Sequence, residues 1–136
     1  MPTTPLNDHV AQLIALVEAG RSVDAIDRFY ADDVVVFENH ELARAGRVAC
    51  AAFERESLAR QPAPPHCRAL AVACNEGSGR AFIEWQIRYK TAEDRWMRME
   101  EVAVQRWSGD RIVEERFYYE GVIDEGDEDD GEATLV

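Results

Sequence analysis

The chain has 136 residues, of which 46% are hydrophobic, and this size and composition are typical of one globular domain with a single core. It contains 27 acidic residues against 15 Lys and Arg residues, which gives a formal net charge of −12. Seven of the acids lie in residues 124–136, so the rest of the chain is only mildly acidic. Nucleic-acid binding needs a basic surface, and a membrane span needs about 18 consecutive apolar residues, so the sequence argues against both.

The cysteines and histidines predict neither a metal site nor a disulfide. The chain has three cysteines, and no pair of them forms a CxxC motif. The first ten residues lack a basic stretch followed by an apolar one, so we expect reduced thiols and a cytoplasmic protein. Cys67 and Cys74 are an odd number of residues apart, so a regular strand would point them to opposite faces. The three histidines have no metal-ligand spacing, and we expect no metal and no cofactor.

The first half of the chain is predominantly helical in pattern. Apolar residues at helical spacing predict a first helix that buries Leu6, Val10, Leu13, Ile14 and Val17. Gly20 suits its C-terminal end, and Ser22 is placed to cap a second, shorter helix. Residues 30–33 are predicted to break that helix before a strand over 34–38. Residues 39–46 are predicted to form a loop, and residues 47–60 a third helix.

The second half is predicted to be an antiparallel meander. Its strands are expected over residues 68–75, 80–91, 96–107 and 112–119. The side-chain period of two places one set of residues of the third of these strands on a common face: Met97, Met99, Glu101, Ala103, Gln105 and Trp107. In the last strand the same rule groups Val113, Glu115, Phe117 and Tyr119, and turns Ile112 to the opposite face.

Helices gathered before an antiparallel meander predict an α+β domain. We expect three helices packed on a curved, mostly antiparallel sheet that encloses a cone-shaped cavity. The domain is expected over residues 1–121. Residues 122–136 are expected to be an acidic tail, disordered from Asp124 onward because it is rich in glycine and acids.

Three stretches carry a resemblance to a known family: FYADDV at residues 29–34, EVAVQRW at 101–107 and DRIVEERFYY at 110–119. Over roughly residues 6–121 the chain resembles the nuclear transport factor 2-like superfamily, in its SnoaL-like branch. That superfamily includes ketosteroid isomerases, polyketide cyclases, epoxide hydrolases, dehydratases and proteins without known catalysis. The resemblance implies the cone-shaped fold and, commonly, a homodimer through the outer sheet face. The interface residues we expect on that face are Trp96, Val102, Val104 and Tyr118.

The ketosteroid isomerase pattern implies a carboxylate base at the end of the first strand, and Glu38 matches that position. The same pattern implies a protonated acid that donates to an oxyanion, but Ala103 stands there instead. A tyrosine implied for the first helix is also absent, since residues 6–19 contain none. The resemblance therefore implies a carboxylate base for the ketosteroid isomerase mechanism, but the chain lacks the two hydrogen-bond donors which that mechanism uses.

Glu38, Glu101 and Glu115 converge on the cavity if the two hairpin strands present matching faces to it. Carboxyls in such a setting can have separated pKa values and divide acid and base roles. Glu38 would then be the base, with Glu115 or Tyr119 as the acid or polarising group. The alternative for Glu101 and Glu115 is ordinary ion pairing across the strands with Arg88, Arg98 or Arg116.

The residues expected to line a cavity suited to a hydrophobic, ring-bearing ligand, besides Glu101, are Trp85, Met97, Met99, Ala103, Phe117 and Tyr119. Their alternative role is ordinary core packing. The sequence thus leaves three functions open. The chain is an acid–base isomerase or cyclase for an apolar cyclic substrate, a binding module that uses the same cavity without turnover, or a dimeric interaction module.

Overall fold

A computed structural model describes residues 5–126 of the chain. Three helices precede or interrupt the sheet: α1 (Leu6–Glu18), α2 (Ser22–Phe29) and α3 (Arg47–Arg60). The described range also contains seven strands: β1 (Tyr30–Glu38), β2 (Glu41–Ala45), β3 (His66–Asn75), β4 (Arg80–Lys90), β5 (Trp96–Ser108), β6 (Arg111–Tyr118) and β7 (Ile123–Gly126). The expected α+β architecture, with helices on a mostly antiparallel sheet, is confirmed.

All seven strands form one sheet, in the order β2-β1-β6-β5-β4-β3, and β7 pairs with the start of β5. Strands β1 and β6 run parallel, and every other neighbouring pair is antiparallel. We call the face that carries Glu101, Ala103 and Gln105 of β5 the inner face, because those side chains are buried. The opposite face, which carries Glu100 and Val102, is the outer face.

The core lies between the inner face and the first two helices. Leu6, Val10 and Leu13 recur at helical spacing along α1, and all three are buried. Alternate residues of β4 meet them from the sheet, where Ala81 and Ile83 are fully enclosed. The same two periodicities predicted from the sequence therefore build this side of the domain.

A bulge in the β5–β6 hairpin changes which residues of β6 face inward. Gln105 pairs with Glu115, but Trp107 pairs with Ile112, so β6 contains one residue more than its partner between these two pairs. Ile112 and Glu115 therefore both lie on the inner face and are buried. The sequence prediction for Ile112 was wrong, because strict alternation cannot include an inserted residue.

The first strand is longer than its sequence pattern suggested, and the segment after it is not a loop. Strand β1 begins at Tyr30, inside the stretch expected to be a break, and Tyr30 pairs with Ile112. Residues expected to form a loop instead include β2, which returns antiparallel to β1. Asn39 makes the turn possible by adopting a positive φ of 55°, a conformation that asparagine tolerates.

Two other local expectations fail for identifiable reasons. Ser22 is the first residue of α2 and not its cap, because its hydroxyl donates to Glu54 of α3 at 2.6 Å. A bulge in β3 between Ala69 and Ala71 shifts the alternation, so Cys67 pairs with Ile87 and Cys74 with Ala81. Both cysteines therefore share the inner face, against the expectation from their spacing.

The outer face is buried at one end of the sheet, where β7 adds to β5. Arg88 of β4 and Arg98 of β5 are direct cross-strand neighbours. Glu125 of β7 approaches both, at 2.8 Å from Nε of Arg88 and 3.5 Å from Nε of Arg98. Trp96 packs in the same region, with the Arg88 guanidinium 4.8 Å from its ring centroid.

This cluster corrects two expectations. Disorder was expected from Asp124, but Ile123–Gly126 is a strand because acidic side chains in it pair with arginines of β4 and β5. Residues 127–136 of the expected tail lie outside the described range. Trp96 was expected in a dimer interface, but only 3% of it is exposed, so it is part of the domain's own packing.

Candidate ligand cavity

A cavity of about 180 Å³ lies between α1, α2 and the inner face of the sheet. Most of its wall is apolar, and the lining residues are Leu13, Val17, Ser22, Ala25, Ile26, Tyr30, Glu54, Cys67, Trp85, Ile87, Glu101, Glu115 and Phe117. Residues at helical spacing along α1 form one side of the cavity, and alternate residues of β4, β5 and β6 form the side made by the sheet. A concave, mostly apolar pocket with a few polar groups is the usual form of a small-molecule site.

Glu101 is the most unusual of the polar groups in this wall. It is 8% exposed, and none of the described residues donates a hydrogen bond to its carboxyl group. Burial raises its pKa to about 8, and the negative charges of Glu115, Glu38 and Glu54 add to the shift. At neutral pH the group is therefore mostly protonated, and it forms part of the cavity wall.

Glu115 also lines the cavity, opposite Gln105, four residues along β5 from Glu101, and it belongs to a fully formed hydrogen-bond network. The Tyr30 hydroxyl donates to one carboxyl oxygen, and Nε2 of Gln105 donates to the other at 2.7 Å. Trp107 completes the chain, since its Nε1 donates to Oε1 of Gln105 at 3.0 Å. Burial raises the pKa of Glu115 despite these two donors, which favour the ionised form. The pKa of Tyr30 is raised well above its ordinary value by burial and by Glu115.

Cys67 is a poor candidate for nucleophilic chemistry. Burial, together with the charges of Glu54, Glu101 and Glu18, raises the pKa of its thiol to about 12. The thiolate is the reactive form, so this cysteine contributes wall surface and not a nucleophile.

A second, more open depression of about 520 Å³ adjoins the cavity region at the β1–β2 turn. We call it the groove, and its lining residues are Glu38, Asn39, His40, Glu41, Leu42, Ala43, Arg44, Phe53 and Tyr119. The Glu38 carboxylate accepts from Arg44 at 2.8 Å and from the Tyr119 hydroxyl at 2.6 Å. Burial alone would raise the pKa of Glu38, but the donors Tyr119 and Arg44 outweigh it and lower that pKa below its ordinary value.

The structure divides the residues expected in the site into three groups. Trp85, Glu101, Glu115 and Phe117 meet in the cavity. Glu38 and Tyr119 meet each other in the groove, where the hydrogen bond raises the pKa of Tyr119 to about 12. Met97, Met99 and Ala103 belong to neither lining, and Ala103 is a fully buried core residue.

The expected alternative of ion pairing does not describe Glu101 or Glu115. Arg88 and Arg98 are on the outer face with Glu125, and Arg116 donates to the backbone oxygen of Asn39. Neither cavity glutamate forms a salt bridge within the described residues.

Two residues of the site were missed from the sequence. Tyr30 was expected to be part of a break, and alternation from Val36 and Val34 could not have placed it, because Asp32 is exposed and the β1–β6 register is irregular between Tyr30 and Val35. Gln105 was placed on the correct face, but its partners could not be known without the register that sets it opposite Glu115.

Across residues 5–126, no cluster of three or more His, Cys, Asp or Glu side chains is arranged to hold a metal ion. No helix in the described range combines the length and the apolar character that crossing a membrane requires.

Solved structures with the same fold include several with different described activities. An LEH-like epoxide hydrolase from M. tuberculosis matches with a TM-score of 0.70 and 15% identity, covering 87% of this chain and 84% of that one. An NTF-2 like protein of unknown function from Burkholderia xenovorans LB400 matches with a TM-score of 0.66 and 16% identity, covering 96% and 91%.

A protein with a ketosteroid isomerase-like fold from Catenulispora acidiphila DSM 44928, solved in complex with trimethylamine, matches with a TM-score of 0.68 and 15% identity, covering 87% of each chain. These identities establish a common fold and no common activity. No curated protein sequence matches the chain. The family described as the SnoaL-like domain matches residues 10–115, which is most of the chain, and the expected family is therefore confirmed. The chain belongs to the SnoaL-like domain family.

Proposed function

We propose that the chain binds a small apolar cyclic molecule in the cavity and moves a proton on it, with Glu101 and Glu115 as the acid and the base. One observation carries the proposal. Glu101 is a buried carboxyl group that lines an apolar cavity and receives no hydrogen bond from the described protein residues. The Glu101 oxygens are not among the fully enclosed polar atoms that lack a partner, so they are open to the pocket, where a ligand can reach them. Carboxyl groups in a cleft whose pKa is strongly shifted by burial are concentrated at functional sites.

The cavity volume sets the size of the ligand. A cavity of about 150 Å³ accommodates a molecule of the size of benzene. The cavity of about 180 Å³ therefore has room for a single substituted ring. Trp85 and Phe117 offer aromatic surface for such a ring.

The chemistry follows from the protonation of the two carboxyls. A general acid works best when its pKa is near the working pH, and the pKa of Glu101 is about 8. Glu101 would donate to a carbonyl oxygen of the substrate while the Glu115 carboxylate accepts a proton from the adjacent carbon. The donors Tyr30 and Gln105 hold the Glu115 oxygens in position for that role.

The base is therefore moved from Glu38, which the sequence favoured, to Glu115. A carboxylate that accepts from Arg44 and Tyr119, with a lowered pKa, is a weaker base than one whose pKa is raised by burial. In this proposal Glu38 and Tyr119 shape the groove beside the cavity.

Hydrogen–deuterium exchange next to the carbonyl of cyclohexanone-sized ketones, followed by NMR in D₂O, tests the catalytic role. We expect the wild-type protein to accelerate exchange for at least one ketone, and Glu101→Gln or Glu115→Gln to lose about 10²- to 10⁴-fold of that acceleration. Glu100→Gln is the matched control, because Glu100 directly precedes Glu101 in β5 and lies on the outer face. No acceleration with any ketone of this size would refute the catalytic part.

Non-catalytic binding in the same cavity is the first alternative, and ligand-induced thermal stabilisation without exchange would support it. The second alternative is a homodimeric interaction module, and exposed outer-face side chains favour it. Phe82, Val102 and Tyr118 are 37%, 39% and 46% exposed, and they lie on adjacent strands. Light scattering at micromolar concentration tests it: a dimer that Val102→Asp converts to a monomer supports the module, whereas a wild-type monomer contradicts it.

A further inference from the structure

The ionisable side chains in the cavity wall all have one sign of charge. Glu54, Glu101 and Glu115 line the cavity, and among residues 5–126 no Lys, Arg or His does. The positive charge that acts on these carboxyls belongs to Arg44. Its guanidinium is engaged in the groove, 2.8 Å from the Glu38 carboxylate and 4.1 Å from the ring centroid of Phe53. The cavity itself therefore offers acceptors and negative charge to a ligand.

Two of the three carboxyls already have partners. Glu54 accepts from the Ser22 hydroxyl, and Glu115 accepts from Tyr30 and Gln105. Glu101 has none within the described residues, although only 8% of it is exposed. The polar position that remains for a ligand is therefore at Glu101, and a hydrogen-bond donor satisfies it whether the carboxyl is ionised or protonated.

The apolar part of the wall selects the body of the ligand. Trp85, Tyr30 and Phe117 supply aromatic rings, whose faces attract a positive charge. Aliphatic side chains of α1 and β4 supply the rest of the wall near them. Together these surfaces fit a cation with an apolar body of about one ring.

We propose that the natural ligand of the cavity is a small cyclic amine, whose protonated nitrogen donates to Glu101 and whose ring packs on Trp85 and Phe117. This inference rests on the proposed small-molecule role of the cavity and names amines as its ligand class. A bound ammonium group holds Glu101 ionised, so for such a ligand Glu101 is the anchor and not the general acid. A carboxylate ligand would meet three carboxyls without a compensating cation. A neutral ligand would use the hydrogen bond but not the charge.

Proton release accompanies binding of the ammonium group. The pKa of Glu101 is about 8, so at pH 7 most molecules must lose the Glu101 proton when a cation binds there. Up to about one proton per bound amine should therefore leave the protein at that pH, by the linkage between charge and protonation.

Isothermal titration with three ligands of one shape and different charge tests the inference. The ligands are cyclohexylamine, cyclohexanol and cyclohexanecarboxylate, measured at pH 7 in buffers of different ionisation enthalpy. We expect the amine to bind at least about tenfold more tightly than the alcohol, the carboxylate not to bind, and proton release to accompany the amine alone. Glu101→Gln should remove both the preference for the amine and the proton release, whereas Glu100→Gln should keep both.

Each result has a distinct meaning. Tighter binding of cyclohexanol than of cyclohexylamine would overturn the amine inference and leave the proposed function intact. Binding of the amine that Glu101→Gln does not weaken would also overturn it, because the acidic surface would then be the site. No binding of any of the three would overturn both the amine inference and the cavity function.

Discussion

The cavity and the groove hold carboxyl groups on neighbouring strands of the same sheet face, yet they give those groups opposite properties. In the register of β1 against β6, Val36 lies beside Glu115 and Glu38 beside Phe117. The pKa of Glu115 is raised and that of Glu38 is lowered. Both carboxyls accept two hydrogen bonds, so the number of donors is not the difference. Glu38 has Arg44 at 2.8 Å and is more exposed, whereas Glu115 is buried among neutral donors.

The contrast predicts opposite effects of pH on stability in the two regions. A carboxyl with a raised folded-state pKa makes its full contribution below its unfolded-state value and loses it as pH rises through the folded-state value. A carboxyl with a lowered pKa contributes above the unfolded-state value and loses that contribution as pH falls. Glu101 and Glu115 belong to the first class, and Glu38 to the second.

The largest expected effect comes from Glu101→Gln. The wild-type protein should lose stability between about pH 4.5 and 8, with a slope of up to about 1.4 kcal/mol per pH unit from this one group. Glutamine cannot ionise, so the variant should be more stable than wild type by about 2–4 kcal/mol at pH 8 and nearly equal at pH 4.5. Urea unfolding at four pH values measures the difference. Glu100→Gln should retain the wild-type slope, and an unchanged slope in Glu101→Gln would contradict the assignment.

Arg44→Met should make the groove resemble the cavity. Without the guanidinium, burial acts on Glu38 with only the Tyr119 hydroxyl to oppose it, so the pKa of Glu38 should rise. The loss at pH 7 should be about 1–2 kcal/mol, less than for a fully buried pair because solvent screens this one. The difference from wild type should shrink as pH falls through the pKa of Glu38. Carboxyl ¹³C chemical shifts report that pKa, and Arg21→Met, at an exposed pair, should leave it unchanged.

Tyrosine substitutions in the two regions give a matched comparison. Tyr30→Phe removes a donor from a fully buried carboxyl and should cost about 1–3 kcal/mol at neutral pH. Tyr119→Phe removes a donor from a carboxylate that keeps Arg44, and should cost about 0.5–1 kcal/mol. Both should raise the pKa of the carboxyl concerned, measured by the same NMR titration. Equal costs would mean that burial does not separate the two regions.

The periodicity of apolar side chains and the positions of turn-forming residues were enough to predict most of the fold. The apolar spacing of α1 matches the observed burial, and so does the alternation of β4 from Arg80 to Trp85. Beyond Trp85 the match ends, because Gln86 and Arg88 of the outer face are buried as well. The failures occur where backbone irregularity interrupts a period, as at Ile112 beyond the β6 bulge and at Cys67 before the β3 bulge. A single inserted residue leaves no mark in composition, so alternation alone cannot reveal it.

For the candidate site, the sequence predicted the sheet face on which each residue lies, but not the side chains that the residue contacts. Glu101 and Glu115 were placed on the cavity wall because each lies in a part of its strand where the alternation is regular. The bulge of the hairpin lies closer to the turn than either residue. Which carboxyl would meet Arg44 could not be predicted, because the loop expected at residues 39–46 forms strand β2 instead and carries that arginine back to Glu38. Charge partners depend on chain reversals that the periodicity of single strands does not encode.

Strand β7 has a practical consequence for producing the domain alone. Ending the polypeptide at residue 121, where the sequence suggested the domain boundary, would remove the Glu125 carboxylate from between Arg88 and Arg98. Two neighbouring guanidinium groups would then face each other on adjacent strands beside Trp96. We expect such a shortened protein to express poorly or to recruit a foreign acidic peptide at this edge. A stop codon placed after Gly126 should instead keep the Glu125 carboxylate between the two arginines.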